Sequence, residues 1–399
     1  MYLSSAQYIS LTSLDQPENR SMSLSYWEKS TLSAYDLIVV GGGIVGMSTA
    51  LHYQLKHPTA SVAIVERGLF PSGASTKNAG FACFGSISEL SEDLESTSVD
   101  NLLTLIESRY KGALQLRRLL GDAAIGYKPE GGFELDFGGQ THEQIERFNE
   151  LLKPLFNADV FSNVTPAVND FGFRSGKVKG LIKNSFEGSV DTGKMIRAFQ
   201  RKCSQSGVQF FTQTIVLDYD DLEGSAKLNV QVGAEVITLT AQQIAFCTNA
   251  FTKALLPGVD LRPGRGMVLV TKPVEDFSLE GTFHYHGGYH YFRGVGNRLL
   301  LGGGRQLDLQ GEATTEQGIN ASIFEQLQHD IHDFIAPGKG LEIDYAWSGV
   351  MAFGANKKPI IQKVSPRISV AARLGGMGVA IGTRVGAELA ELLEGLEGA

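Results

Sequence analysis

Leu37-Ile38-Val39-Val40, followed at once by Gly41-Gly42-Gly43-Ile44-Val45-Gly46, sets the architecture of this chain. The first four residues are a continuous apolar run with β-branched side chains, the pattern of a strand buried on both faces of a parallel sheet. The next six fit G-x-G-x-x-G, and Ile44 to Lys56 reads as a helix. Val62-Ala63-Ile64-Val65 is a second buried strand ending at Glu66-Arg67, which completes a βαβ unit. In such a unit the first glycine allows the tight turn, the second lets backbone approach a pyrophosphate, and the third packs helix against strand. The phosphates meet the free N–H groups and dipole of the helix N-terminus. Glu66 stands 20 residues beyond Gly46, where an acid holds ribose hydroxyls and repels a 2′-phosphate. FAD or NAD is therefore expected, and NADP is not.

The next segment favours FAD. Gly68 to Gly80 reads GLFPSGASTKNAG, small and polar residues suited to wrapping backbone and hydroxyl donors around a long cofactor. Composition narrows the rest. The 399 residues include 47 Gly without a three-residue period, only 12 Pro, and 43% hydrophobic residues, which excludes collagen-like and disordered chains and leaves room for two domains. A net charge of −8 offers no basic field, so no nucleic acid partner is expected. Cys83, Cys203 and Cys247 are far apart, without a C-x-x-C pair, and fit a reducing compartment rather than a disulfide framework or zinc site. No run of 18 apolar residues occurs, so no membrane span is expected, and the chain is placed in the cytoplasm. Residues 1–34 read as an extension that Tyr26 and Trp27 could anchor to the body.

Further along, helices are expected at 97–120, 142–154, 192–206, 315–335 and 379–393, with strands between them at 208–211, 215–217, 228–232, 244–247, 261–271, 289–305 and 368–372. His284, His286 and His290 alternate with Tyr285, Tyr289 and Tyr291 about a Gly287-Gly288 hairpin turn. Facing strands do not by themselves make these histidines converge, so no metal site is expected. The aromatics are expected to cover a pocket wall, with Tyr291 and Arg293, two apart on one strand face, pointing at substrate. An ion pair is the structural alternative for Arg293. Phe81 to Phe84 is expected to be a further wall or simple core.

The phosphate loop with Glu66, then Ser72-Gly73-Ala74-Ser75-Thr76-Lys77-Asn78-Ala79-Gly80, resembles the FAD-dependent D-amino acid oxidase, glycine oxidase and sarcosine oxidase superfamily. Gly188-Ser189-Val190-Asp191, Cys247-Thr248-Asn249-Ala250, Arg262-Pro263-Gly264-Arg265-Gly266, Ala346-Trp347-Ser348-Gly349 and Gly375-Gly376-Met377-Gly378 resemble its landmarks, in its order. Asn249 is similar to the branch typified by γ-glutamylputrescine oxidase. The resemblance implies an α/β fold: a Rossmann-like FAD-binding domain from 35–88, 186–262 and 341–399, and a mostly antiparallel, α+β substrate domain from 89–185 and 263–340. It also implies cofactor contacts. Gly41, Gly43, Ile44, Val45 and Gly46 meet the pyrophosphate, Glu66 with Arg67 beside it the adenosine ribose, and Ser72 to Gly80, including Gly73, Ala74, Ser75, Lys77, Asn78 and Ala79, the phosphates and flavin. Val216 meets adenine, Thr248, Asn249 and Ala250 line the groove, and Gly375, Gly376, Met377, Gly378 and Val379 aim donors at the flavin's pyrimidine end.

Three departures bear on substrate chemistry. Met351 stands where amino acid oxidases of this superfamily place a carboxylate-binding Arg; Gly349, Val350 and Lys77 stand where some members link the flavin covalently; and Leu300 replaces an oxygen-activating Lys. The expectation is a non-covalent FAD enzyme that takes hydride from the α-carbon of a small amine, with the imine hydrolysed in water and electrons passed to oxygen or another acceptor. No catalytic side chain is assigned. A 2-hydroxy acid dehydrogenase using His290 or His286 as base, a nicotinamide-dependent dehydrogenase and a non-catalytic flavin-binding module are the alternatives.

Overall fold

Among the described residues the strands form two sheets of eight strands each and a small two-stranded one. The computed structural model describes residues 24–138 and 142–394. β1 (Ala34–Val40), α1 (Ile44–Lys56) and β2 (Val62–Val65) form the opening unit, with Leu37 to Val40 and all of β2 buried, as continuous apolar strands between two layers must be.

α2 (Ile87–Ser96) and α3 (Val99–Leu120) follow, with serine caps at Ser86 and Ser98 accepting from the third residue beyond. β3 (Gly132–Asp136), α4 (His142–Phe156), β4 (Phe161–Asn163) and β5 (Gly180–Asn184) come next, then α5 (Thr192–Gln205) and β6 (Gln209–Phe211). β7 (Thr214–Asp221), β8 (Ala226–Val232) and β9 (Glu235–Phe246) make a meander. The strands β10 (Arg262–Thr271), β11 (Thr282–Tyr285), β12 (His290–Val295) and β13 (Arg298–Gly303) precede α6 (Ala321–Asp330) and β14 (Ile343–Phe353). β15 (Ile360–Lys363), β16 (Ile368–Ala372) and α7 (Gly378–Glu394) close the described chain.

The first sheet runs β15-β16-β9-β1-β2-β6, parallel from β16 to β6, with β8 and β7 continuing from β9. Strands from the start, middle and end of the chain thus lie side by side. Its faces feed two cores, one with α1, α5 and α7 and the other with the meander and the Leu256–Leu261 stretch. The second sheet runs β14-β10-β13-β12-β11-β3-β5-β4, antiparallel except for β11 on β3. One face packs on α6 through an aromatic core that includes Phe283, Tyr285 and Phe292; the other turns toward the first sheet.

Four expectations change. β14 falls in the 341–399 segment expected in the FAD-binding domain, yet it pairs along β10 from Arg262↔Phe353 onward and so belongs to the second sheet. The helix expected over 315–335 begins only at Ala321, because Asn320 caps it. α2 was not anticipated: its buried Ile87, Glu89, Leu90 and Asp93 mix acidic with apolar residues and blur the hydrophobic stripe. Tyr26 and Trp27 meet edge to face at 5.1 Å but stay 72% and 71% exposed, so they do not anchor the extension; residues 1–23 of it lie outside the described residues.

Candidate functional site

The turn between β1 and α1 packs tightly enough to exclude side chains. Gly41 has φ +108°, and a Cβ there would lie 2.7 Å from the Cys247 carbonyl oxygen; a Cβ on Gly46 would lie 1.9 Å from the Gly41 carbonyl oxygen. The α1 N-cap is Gly43, which has no side chain to cap the helix, and the Ile44 amide donates to Ser75 Oγ at 3.0 Å. A hydroxyl therefore stands where an anion would meet the helix N-terminus. Glu66, 6% exposed, accepts from the Gly42 amide at 2.9 Å through Oε2 and from the Gly68 amide and the Ser72 hydroxyl at 2.9 Å through Oε1. Arg67 stacks on Phe251 at 3.7 Å and donates to Ser72 Oγ.

A cavity of about 890 Å³ runs from this turn, between the two sheets, to the Gly375–Gly378 turn before α7. Every residue expected to touch cofactor lines it except Gly46, Thr76, Gly80 and Ala250. Gly46 packs helix on strand. The Gly80 amide donates to Asn78 Oδ1 at 2.8 Å and ends the loop, and Ala250 is buried beneath Thr248 and Asn249 in the core. Asn249 holds a left-handed backbone, φ 49°, and its Oδ1 accepts from the Arg373 amide, tying the groove to the strand before Gly375.

The second sheet supplies the opposite wall. Register places His284, Tyr291, Gly302, Val268 and Trp347 across one face, and Gly349, Met351 and Phe353 continue it along β14. Tyr291 and Met351, the other expected substrate contacts, line the cavity. Arg293 shares the face of Tyr291 but does not line the cavity; it is 8% exposed and donates to the Gly80 carbonyl at 3.4 Å. His284 lines the cavity, whereas His286 and His290 do not: His290 stacks on Tyr285 at 4.6 Å on the α6 side. Burial alone pushes His284 down to about 4 and Tyr291 up to about 12, so both are uncharged near neutral pH. Phe81 lines the cavity, and Phe84 joins the α2–α4 core. No group of His, Cys, Asp or Glu among the described residues could hold a metal ion.

Three features escape motif reading. Arg305 and Phe353 line the cavity with the guanidinium 4.3 Å over the ring. Glu89 and Asp93 line it from α2, and Lys357, from the loop after β14, reaches Asp93 at 2.5 Å. Glu187, fully buried, accepts from the Phe84 and Gly85 amides at 2.8 and 3.2 Å and is pushed up to about 8 by desolvation. A clustered pattern around each was absent, because their partners are remote in sequence.

The bare turn, the buried acid and the long groove fit an adenine dinucleotide, and comparison with known proteins agrees. The family model "FAD dependent oxidoreductase" (DAO) matches residues 36–392. The chain is 21% identical over 412 residues to "Probable oxidoreductase OrdL" of Haemophilus influenzae, covering 95% of this chain and 87% of that one. The crystal structure of glycine oxidase from Geobacillus kaustophilus superposes with a TM-score of 0.73 at 20% identity, over 92% of this chain and 96% of that one. L-proline dehydrogenase from P. horikoshii superposes with a TM-score of 0.72 at 16% identity, over 90% and 93%. The chain belongs to the DAO family of FAD-dependent oxidoreductases, and it is an enzyme with FAD as its cofactor.

Proposed function

We propose that this enzyme oxidises the C–N bond of an amine or amino acid derivative, releasing an imine that water hydrolyses, with electrons passed to oxygen or another acceptor. The observation that carries this reading is the uncharged sheet wall. His284 and Tyr291, the polar side chains that β11 and β12 turn to the cavity, hold neither a negative charge nor a base of useful strength near neutral pH. A neutral amine needs none, because its own nitrogen lone pair supports hydride loss from the adjacent carbon. An alcohol needs a base for its proton, and His286 and His290, the residues suited to that task, lie off the cavity. The names of glycine oxidase and iminodiacetate oxidase, two structural neighbours, point the same way.

FAD held along the groove would supply the two-electron acceptor. The chain's own residues do the positioning. Gly41, Gly43 and Glu66 would hold the pyrophosphate and ribose, Ser72 to Asn78 the middle of the cofactor, and the Gly375–Gly378 turn with the α7 N-terminus the end where negative charge develops. Phe81, Val268 and Tyr291 keep water from the reacting face. Attachment is non-covalent on this reading: Cys83, the thiol nearest the Gly375–Gly378 turn, sits 3.7 Å from the Met377 sulfur, and burial holds it protonated.

The test is anaerobic mixing of the yellow holoenzyme with amines and with 2-hydroxy acids, followed by admission of oxygen and assay for peroxide. Bleaching by amines is expected. Bleaching by hydroxy acids with none by any amine would overturn the reading.

A further inference from the structure

Among the described residues Arg305 is a cation with a ring beneath it but no carboxylate or hydrogen-bond partner. It follows β13 through Gly303 and Gly304, both at positive φ, which swing the chain off the sheet so that the side chain returns over the cavity wall. It is half-buried, and among the described residues no hydrogen bond or ion pair engages it. The carboxylate whose charge acts on it, Glu312, already meets Arg265 through two bonds of 2.8 and 2.9 Å. Of the acids that line the cavity, Glu66 is engaged by amides and a hydroxyl and Glu89 and Asp93 by Lys357, and Glu92 is not among the groups whose charge acts on Arg305.

The guanidinium is nonetheless held in place. Its central carbon lies 4.3 Å from the centroid of the Phe353 ring, a contact that uses none of its N–H groups as hydrogen-bond donors to oxygen. The pair lies close on the sheet because residue 264 has no side chain: a Cβ there would come within 2.4 Å of the Phe353 ring and 3.5 Å of Arg305 Cδ. A fork of donors held over an aromatic ring in a half-buried wall is an arrangement that recognises a carboxylate.

Its place along β14 says where that carboxylate lies. Gly349, Met351 and Phe353 share a face, about 7 Å per step. A Cβ on Gly349 would touch Lys77 of the flavin loop at 2.7 Å, and one on Gly376 would come within 3.5 Å of the Met351 sulfur. The two segments assigned to the flavin thus bracket Gly349 and Met351, and the cation stands one step beyond, with the apolar Met351 between.

We propose that Arg305 anchors a substrate carboxylate set back from the reacting carbon by two or more further carbons, so that the preferred substrate is an ω-amino acid or a longer amine with a remote acid rather than an α-amino acid. This rests on the amine reading above.

Two measurements on the FAD-loaded enzyme test it. The first is calorimetric titration of oxidised enzyme with butyrate and with butyramide, which needs no turnover. Butyrate should bind and butyramide should not, and Arg305→Gln should weaken butyrate about tenfold or more, with Arg305→Lys between. The second is the rate of anaerobic flavin reduction by glycine, 4-aminobutyrate, 5-aminovalerate and butylamine. The two longer amino acids should lead, and their advantage over butylamine should vanish in Arg305→Gln. Equal reduction by butylamine in both proteins, with butyrate affinity unchanged by the mutation, overturns the anchor while the amine reading stands. A lead for glycine overturns the set-back position. Flavin reduced by none of these amines, but by a hydroxy acid, sinks the amine reading, and the titration still decides whether Arg305 binds a carboxylate.

Discussion

Glu66 Oε2 accepts the Gly42 amide at 2.9 Å, so the acid at the end of β2 also pins the turn that would receive the phosphates. The same carboxylate holds the Gly68 amide and the Ser72 hydroxyl, at the start of the loop that would wrap the cofactor. Glu66→Ala leaves these donors buried without an acceptor, at about 2 kcal/mol of stability. FAD affinity should fall with it, and Glu66→Gln, which keeps one acceptor oxygen, should lose less of both. Thermal unfolding of the apoprotein and fluorescence titration with FAD measure the two effects separately.

Gly43→Val should give a folded protein without yellow colour. A Cβ at this position would lie 2.7 Å from Ser75 Oγ, and the branched side chain would occupy the approach to the α1 N-terminus. Far-UV circular dichroism close to the parent with no flavin absorption is the expected pair of results; normal flavin occupancy would count against the groove as the cofactor site.

Stability should fall as pH rises across neutrality, through Glu187. Its folded value, about 8, lies above the usual 4.5 because desolvation outweighs the Phe84 and Gly85 amides that favour the charged form. Between about 4.5 and 8 the folded state holds a proton that the unfolded state has released, so the contribution is complete below 4.5 and lost as pH passes 8. Glu187→Gln keeps the acceptor oxygen and stays neutral. Its melting temperature should therefore vary less than the parent's between pH 6 and 9 and exceed it at pH 9.

Arg293→Met should leave KM within about twofold, since a side chain that does not line the cavity offers the substrate nothing in uniform binding. Its bond to the Gly80 carbonyl points instead to the flavin loop, and FAD affinity should drop. A large rise in KM with FAD affinity intact would restore the substrate contact expected from its strand position.

The βαβ opening was legible because everything it needs is consecutive: the apolar run of β1, the glycines, the helix and Glu66 lie within 30 residues. The hairpin about Gly287-Gly288 was legible for the same reason, and register pairs His284 with Tyr291 across it. Arg293 was harder. Alternation placed it on the face of Tyr291, but alternation carries no information on how far along a strand the cavity extends.

By itself, then, the sequence determined the cofactor fold and the segments that line its cavity, because strand burial, turn glycines and helix termini are local properties of the backbone. Only the tertiary structure decided the wall that faces those segments across the cavity. It takes β14, β10, β13 and β12 in an order unrelated to their sequence, and it brings Arg305 onto Phe353 from 48 positions away. Such a pairing is stabilised by stacking and desolvation that exist only once the sheet has closed, so no spacing of residues announces it.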